Sequence, residues 1–97
     1  MDSNTKLILL YDYYGELLTD KQKIYFEDYY FNNLTLSEIS ENNSVSRSAV
    51  QKQLKDIEDK LTNYEQKLQI IKRNKQIEKL LNKIDDSKLK NEISKLL

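Results

Sequence analysis

The sequence predicts an all-α fold of five or six helices and no strands, and three observations carry that prediction. The 97-residue chain has no proline and a single glycine, so it lacks the residues that punctuate hairpins and short strands. Its apolar residues recur at steps of three and four rather than two. Capping boxes, a Thr followed three residues later by Gln or Glu, stand at Thr19 and Thr35 ahead of apolar runs. With 33% charged and 38% hydrophobic residues, the core must be assembled from narrow helical stripes.

The elements follow in order. Leu7, Tyr11, Tyr14 and Leu18 share one face of a first helix, with Ser3 or Thr5 as its capping candidates. Gly15 falls near its end, where glycine costs about 1 kcal/mol relative to alanine. Thr19-Asp20-Lys21-Gln22 opens a second helix running through Ile24-Tyr25-Phe26 and Tyr29-Tyr30-Phe31. Asn32-Asn33 offers the left-handed backbone that ends it. Thr35-Leu36-Ser37-Glu38 opens a third helix, with Leu34 and Ile39 at the positions of a hydrophobic staple. Asn42-Asn43-Ser44 closes it within two turns, and Ser46 caps a fourth helix beginning at Arg47.

Val50, Leu54, Ile57, Leu61, Tyr64, Leu68 and Ile71 step by 4, 3, 4, 3, 4 and 3 along this fourth helix, a heptad stripe. The polar run Lys72-Arg73-Asn74-Lys75-Gln76 interrupts it before Ile77, Leu80, Leu81 and Ile84 resume in a shifted phase. A continuous helix from 46 to 84 would span roughly 58 Å, longer than a small domain. The expectation is a bend near Arg73-Asn74, or a projecting helix that pairs with another chain. Asp85-Asp86-Ser87 caps a last helix with Leu89, Ile93, Leu96 and Leu97 on one side. The predicted division is a core over 1–64 and a helical extension over 65–97 that serves as a dimerisation element.

Composition narrows the function. Without Cys there is no disulfide, redox motif or thiolate metal site, and without His the usual zinc sets and Ser-His or Cys-His pairs fail. One Gly cannot build a phosphate-cradling loop. The expectation is a non-enzymatic protein with no cofactor and no metal. The run Leu7-Ile8-Leu9-Leu10 is too short for a signal peptide or a membrane span, which predicts a cytoplasmic protein without membrane insertion. The net charge of zero conceals a polarity: residues 1–45 carry three bases against eight acids, and residues 46–97 carry 13 bases against eight acids. The basic half can face a polyanion while the acidic half limits non-specific binding.

A short helix, a three-residue turn and a helix opening with Ser46-Arg47-Ser48 is the layout of a helix-turn-helix. Ile39 and Ser40 fall on the inner face of the first of the two helices, Val45 plugs the turn, and Val50 and Leu54 anchor the second. Ser44 occupies the turn position where glycine is common, and Asn43 is the residue expected to absorb the left-handed conformation. Arg47, Ser48, Gln51, Lys52 and Lys55 remain on the outer face as the nucleic-acid-binding candidates. Arg, Ser and Gln suit base edges and Lys suits phosphates. Asp56, Glu58 and Asp59 follow directly and dilute the basic face.

Leu10-Tyr11-Asp12-Tyr13-Tyr14, Leu17-Leu18-Thr19-Asp20-Lys21-Gln22, Leu36-Ser37-Glu38-Ile39, Val45-Ser46-Arg47-Ser48-Ala49-Val50 and Tyr64-Glu65-Gln66-Lys67-Leu68 together resemble the YlxM family. These are small bacterial helix-turn-helix proteins similar to the fourth region of sigma factors. The resemblance covers residues 7–68 and implies an all-helical, sigma region-4-like core. It also implies a regulatory role in the signal recognition particle pathway and no catalytic activity. The implied partners are nucleic acid, either the particle's RNA or duplex DNA, contacted at Arg47, Ser48, Gln51 and Lys52, together with the particle's GTPase.

Other features carry weaker signals. Eight of the nine aromatics lie between Tyr11 and Phe31, which suits either a platform for unpaired bases or helix packing. Their helical spacing favours packing through Tyr14, Phe26, Tyr29 and Tyr30, with Tyr13 and Tyr25 left outside. Asp12 and Glu16, one turn apart, lack a third ligand or a positioned base and read as a solvated acidic face. Tyr64, Leu68, Ile71 and Ile77 to Ile84 have little remaining chain to cover them, which predicts a homodimer through the C-terminal helices.

Overall fold

A computed structural model describes residues 3–97. Among them the chain forms six α-helices and no strand: α1 Ser3–Tyr14, α2 Asp20–Tyr30, α3 Leu36–Asn43, α4 Arg47–Leu68, α5 Ile70–Leu81 and α6 Ser87–Ser94. It divides into two compact units, Met1–Gln66 and Lys67–Leu97.

In the first unit α1 is already helical at Ser3, so Ser3 and Thr5 lie within it rather than capping it from outside. It tightens into a 3₁₀ turn over Gly15–Leu17. Here glycine answers a close approach: a Cβ on Gly15 would lie 3.0 Å from the Tyr11 ring. That ring is stacked on Phe26 at 4.3 Å and 8°, which joins α1 to α2. Both capping boxes form. Thr19 Oγ1 accepts from the Gln22 amide and Gln22 Oε1 from the Thr19 amide, each at 3.1 Å. Thr35 and Glu38 repeat the arrangement at 3.1 Å. After α2, Asn33 takes φ 55° and the Leu34 amide reaches the Asp28 carbonyl at 3.0 Å.

The core of this unit is built from Leu10, Tyr14, Leu18, Tyr25, Phe26, Ile39, Val50, Leu54, Ile57 and Leu61, all buried. Three polar ties hold α4 against α1 and α2. Tyr14 donates its hydroxyl to Glu65, Tyr30 donates to Glu58 at 2.7 Å, and Lys60 Nζ donates to Gln22 Oε1 at 3.2 Å. Two aromatic expectations are reversed. Tyr25 is fully buried (2% exposed), whereas Tyr29 is 37% exposed despite its place in the expected packing set.

The bend expected near Arg73-Asn74 lies earlier, at Gln69, which adopts φ 54° between α4 and α5. The heptad stripe therefore ends its buried run before Leu68, which is exposed, while Ile71 restarts burial on a new helix. Arg73 and Asn74 continue α5 as ordinary helix, because polar residues in sequence do not by themselves interrupt backbone hydrogen bonding. In the second unit α5 packs on α6. Asp86 caps α6 by accepting from the Lys88 and Leu89 amides at 3.0 and 3.1 Å.

Candidate nucleic-acid interface

The helix-turn-helix is set by local chemistry at three points. Thr35 starts α3, Ser44 turns the chain, and Ser46 starts α4 by accepting from the Ala49 amide at 3.1 Å. The left-handed residue is Ser44 (φ 54°, ψ 42°), not Asn43 as the sequence suggested. The reason is visible in the side chain: Asn43 Nδ2 donates to the Ile39 carbonyl at 2.8 Å, which keeps Asn43 inside the last turn of α3. The Val45 amide then reaches the Ser40 carbonyl at 3.0 Å and closes the end of α3. Ser40 is buried, and its hydroxyl is satisfied within α3 by donating to the Ser37 carbonyl at 2.8 Å.

At about 100° per residue, Val50, Leu54, Ile57 and Leu61 occupy an arc of roughly 60° on α4. All four are buried, three of them completely. Arg47, Ser48, Gln51, Lys52 and Lys55 span a separate arc of roughly 140°. All five are exposed. Ser48 Oγ lies 3.1 Å from Ser46 Oγ, so the first turn of α4 presents two hydroxyls beside Arg47. Lys55 pairs with Asp59 at 3.1 Å, and this hydrogen bond holds its ammonium above the ordinary lysine range. Both partners are more than 60% exposed, so the pair is readily exchanged for a phosphate contact.

The five residues are not equivalent. Gln51, Lys55 and Glu58 of α4 also form one wall of a groove of about 420 Å³ whose other walls include Tyr29 and Tyr30 of α2 and Leu36 of α3. Arg47, Ser48 and Lys52 stand outside it. Burial and the Glu58 carboxylate both raise the Tyr30 hydroxyl above the ordinary tyrosine range, burial being the larger cause. Sequence reasoning missed this groove. The available signal was Tyr29, which falls between Tyr25 and Phe26 around α2 and whose helical spacing therefore points to the core.

The other candidates behave as surface. Asp12 is exposed, and Glu16 is spent on an ion pair with Lys23 at 3.2 Å. Among the described residues no cluster of three acidic side chains could hold a metal ion, and no helix is long and apolar enough to cross a membrane.

The profile of the UPF0122 family, described as "helix-turn-helix protein, YlxM / p13 like", matches residues 1–97, and so extends the likeness through α5 and α6. A UPF0122 protein of Caldanaerobacter subterraneus subsp. tengcongensis is 48% identical over 80 residues, covering 82% of this chain and 68% of that protein. One from Malacoplasma penetrans is 42% identical over 89 residues, covering 92% of this chain and 83% of that protein. One from Listeria welshimeri is 40% identical over 84 residues, covering 87% of this chain and 76% of that protein.

Proposed function

Because the chain belongs to the UPF0122 family of helix-turn-helix proteins, we propose that it is a non-enzymatic regulatory protein that binds nucleic acid through the first turns of α4. The observation that carries this reading is the exposed arc of Arg47, Ser48, Gln51, Lys52 and Lys55, held outward by the buried Val50, Leu54 and Ile57. Arg47, Ser48 and Gln51 meet base edges, and Lys52 and Lys55 meet phosphates. From the resemblance to the YlxM family we infer the setting of a cytoplasmic accessory factor of the signal recognition particle pathway. It engages the particle's RNA through this arc, or its GTPase through the acidic and aromatic side of α1 and α2. The test is a fluorescence anisotropy titration comparing that RNA with duplex DNA at two salt concentrations. Arg47→Ala with Lys52→Ala should lower affinity and reduce the salt slope by about 0.7–0.9 for each phosphate no longer neutralised. An unchanged double variant would remove this face from the reading.

A sigma-like transcriptional regulator binding duplex DNA as a homodimer is the second reading. It is favoured by the C-terminal unit, where Leu68, Leu80, Leu89, Leu96 and Leu97 are all exposed and a second copy would cover them. Sedimentation should give a dimer that Leu89→Glu with Leu96→Glu converts to a monomer. A monomer at micromolar concentration before substitution counts against it. A protein adaptor with a vestigial helix-turn-helix is the third reading, favoured by the zero net charge, and predicts no salt-resistant binding to either nucleic acid.

A further inference from the structure

We propose that the groove beside α4 receives one unpaired base of a structured RNA, a reading that rests on α4 being a nucleic-acid-binding helix. Tyr29 motivates it. At about 100° per residue it lies some 40° from Tyr25 and 60° from Phe26, on the inward arc of α2. Both neighbours are buried, yet Tyr29 is 37% exposed, because the space in front of it is groove rather than side chain. Its ring meets Tyr30 edge to face at 5.0 Å, and the Tyr30 hydroxyl is fixed on Glu58. The aromatic wall is thus already positioned.

The remaining lining selects the chemistry. Leu36 and Leu54 give apolar surface, and Asn4 and Gln51 bring amides that both donate and accept, as the edge of a base requires. The Glu58 carboxylate disfavours a phosphate inside the groove but accepts well from an exocyclic amino group. A neutral, planar group with N–H donors fits where an anion does not. Lys55 lies at the same groove and Lys52 one turn earlier on α4, where the phosphates flanking an inserted base would run. A groove of about 420 Å³ admits a base with room for its ribose. Paired bases in a duplex are stacked out of reach, whereas RNA loops and bulges present bases already free of the stack.

The test uses the full chain and two RNA hairpins, one with a single bulged 2-aminopurine and one fully paired, with DNA hairpins of the same design. The bulged RNA should bind at least tenfold tighter than the paired RNA, with 2-aminopurine fluorescence quenched as it stacks. Tyr29→Ala should cost about 5- to 150-fold on the bulged RNA alone and leave the salt slope unchanged. Because Tyr29 is partly exposed, this variant keeps its fold, which circular dichroism verifies. Equal binding of bulged and paired RNA, still weakened by Arg47→Ala with Lys52→Ala, would overturn the groove assignment while leaving the α4 reading intact. Equal affinity for bulged DNA would overturn the assignment to RNA. Loss of self-association in Tyr29→Ala without any effect on RNA would give the groove to a second copy of the chain. Absence of binding to every hairpin would overturn the α4 reading and the groove assignment together.

Discussion

Replacing Ser44 with glycine should stabilise the helix-turn-helix, although it removes a side chain. Ser44 holds φ 54°, ψ 42°, a conformation that costs a residue with a Cβ about 1–2 kcal/mol. Glycine escapes that cost but gains freedom in the unfolded chain, which takes back about 0.4–1 kcal/mol. Ser44 is exposed, so no packing disappears with its side chain. The net gain is about 0.5–1 kcal/mol. Unfolding entropy of about 2.1 cal/mol/K per residue, over the 66 residues of the first unit, gives about 0.14 kcal/mol/K and a rise in Tm of about 4–7 °C. Tyrosine fluorescence is the appropriate probe, since all nine aromatics lie between Tyr11 and Tyr64 and report on that unit alone. Ser44→Val should move Tm in the opposite direction, a β-branched side chain being poorly accommodated at positive φ. A Tm that falls in Ser44→Gly would refute the left-handed turn at this residue. If Asn43→Gly rather than Ser44→Gly gave the increase, the turn would lie one residue earlier.

Two further outcomes test the packing. Gly15→Ala should destabilise by about 1 kcal/mol despite alanine's better helix propensity, because Tyr11 cannot retreat without breaking its stack on Phe26; a rise in Tm would show that the ring yields. Stability should fall as pH rises above the ordinary tyrosine value of about 10, since the raised Tyr30 lets the folded state keep a proton that the unfolded state releases. Tyr30→Phe should flatten that alkaline loss and, by deleting the hydrogen bond to Glu58, lower stability at neutral pH by about 1 kcal/mol; an unaltered alkaline limb in urea titrations would assign the loss to another group.

The caps at Thr19, Thr35, Ser46 and Asp86 were legible because a capping hydrogen bond closes within three residues and needs nothing distant. The buried run from Val50 to Leu61 was legible because its period is that of the helix it lies on. The exposed arc from Arg47 to Lys55 follows from the same geometry, since whatever is off the buried stripe near a capped start faces outward. The groove was not legible. Its lining comes from four helices, and its existence depends on which side chain fails to fill the space in front of Tyr29.

By itself, then, the sequence determined what local energy decides: helix type, helix starts, the turn between α3 and α4, and the buried stripe of α4. Even the choice of Ser44 over Asn43 as the left-handed residue is local, since the hydrogen bond from Asn43 to the Ile39 carbonyl spans only four residues of α3. Tertiary structure decided where the long helix breaks and which tyrosine of α2 is buried. Gln69 breaks the long helix with no glycine, proline or asparagine to announce it. Tyr25 and Tyr29 exchanged their expected burial although both sit on the inward arc of α2. The left-handed backbone at Gln69 costs about 1–2 kcal/mol and two tyrosines share one helix propensity, so burial of large side chains, worth about 1.5–3 kcal/mol each, outweighs local preference.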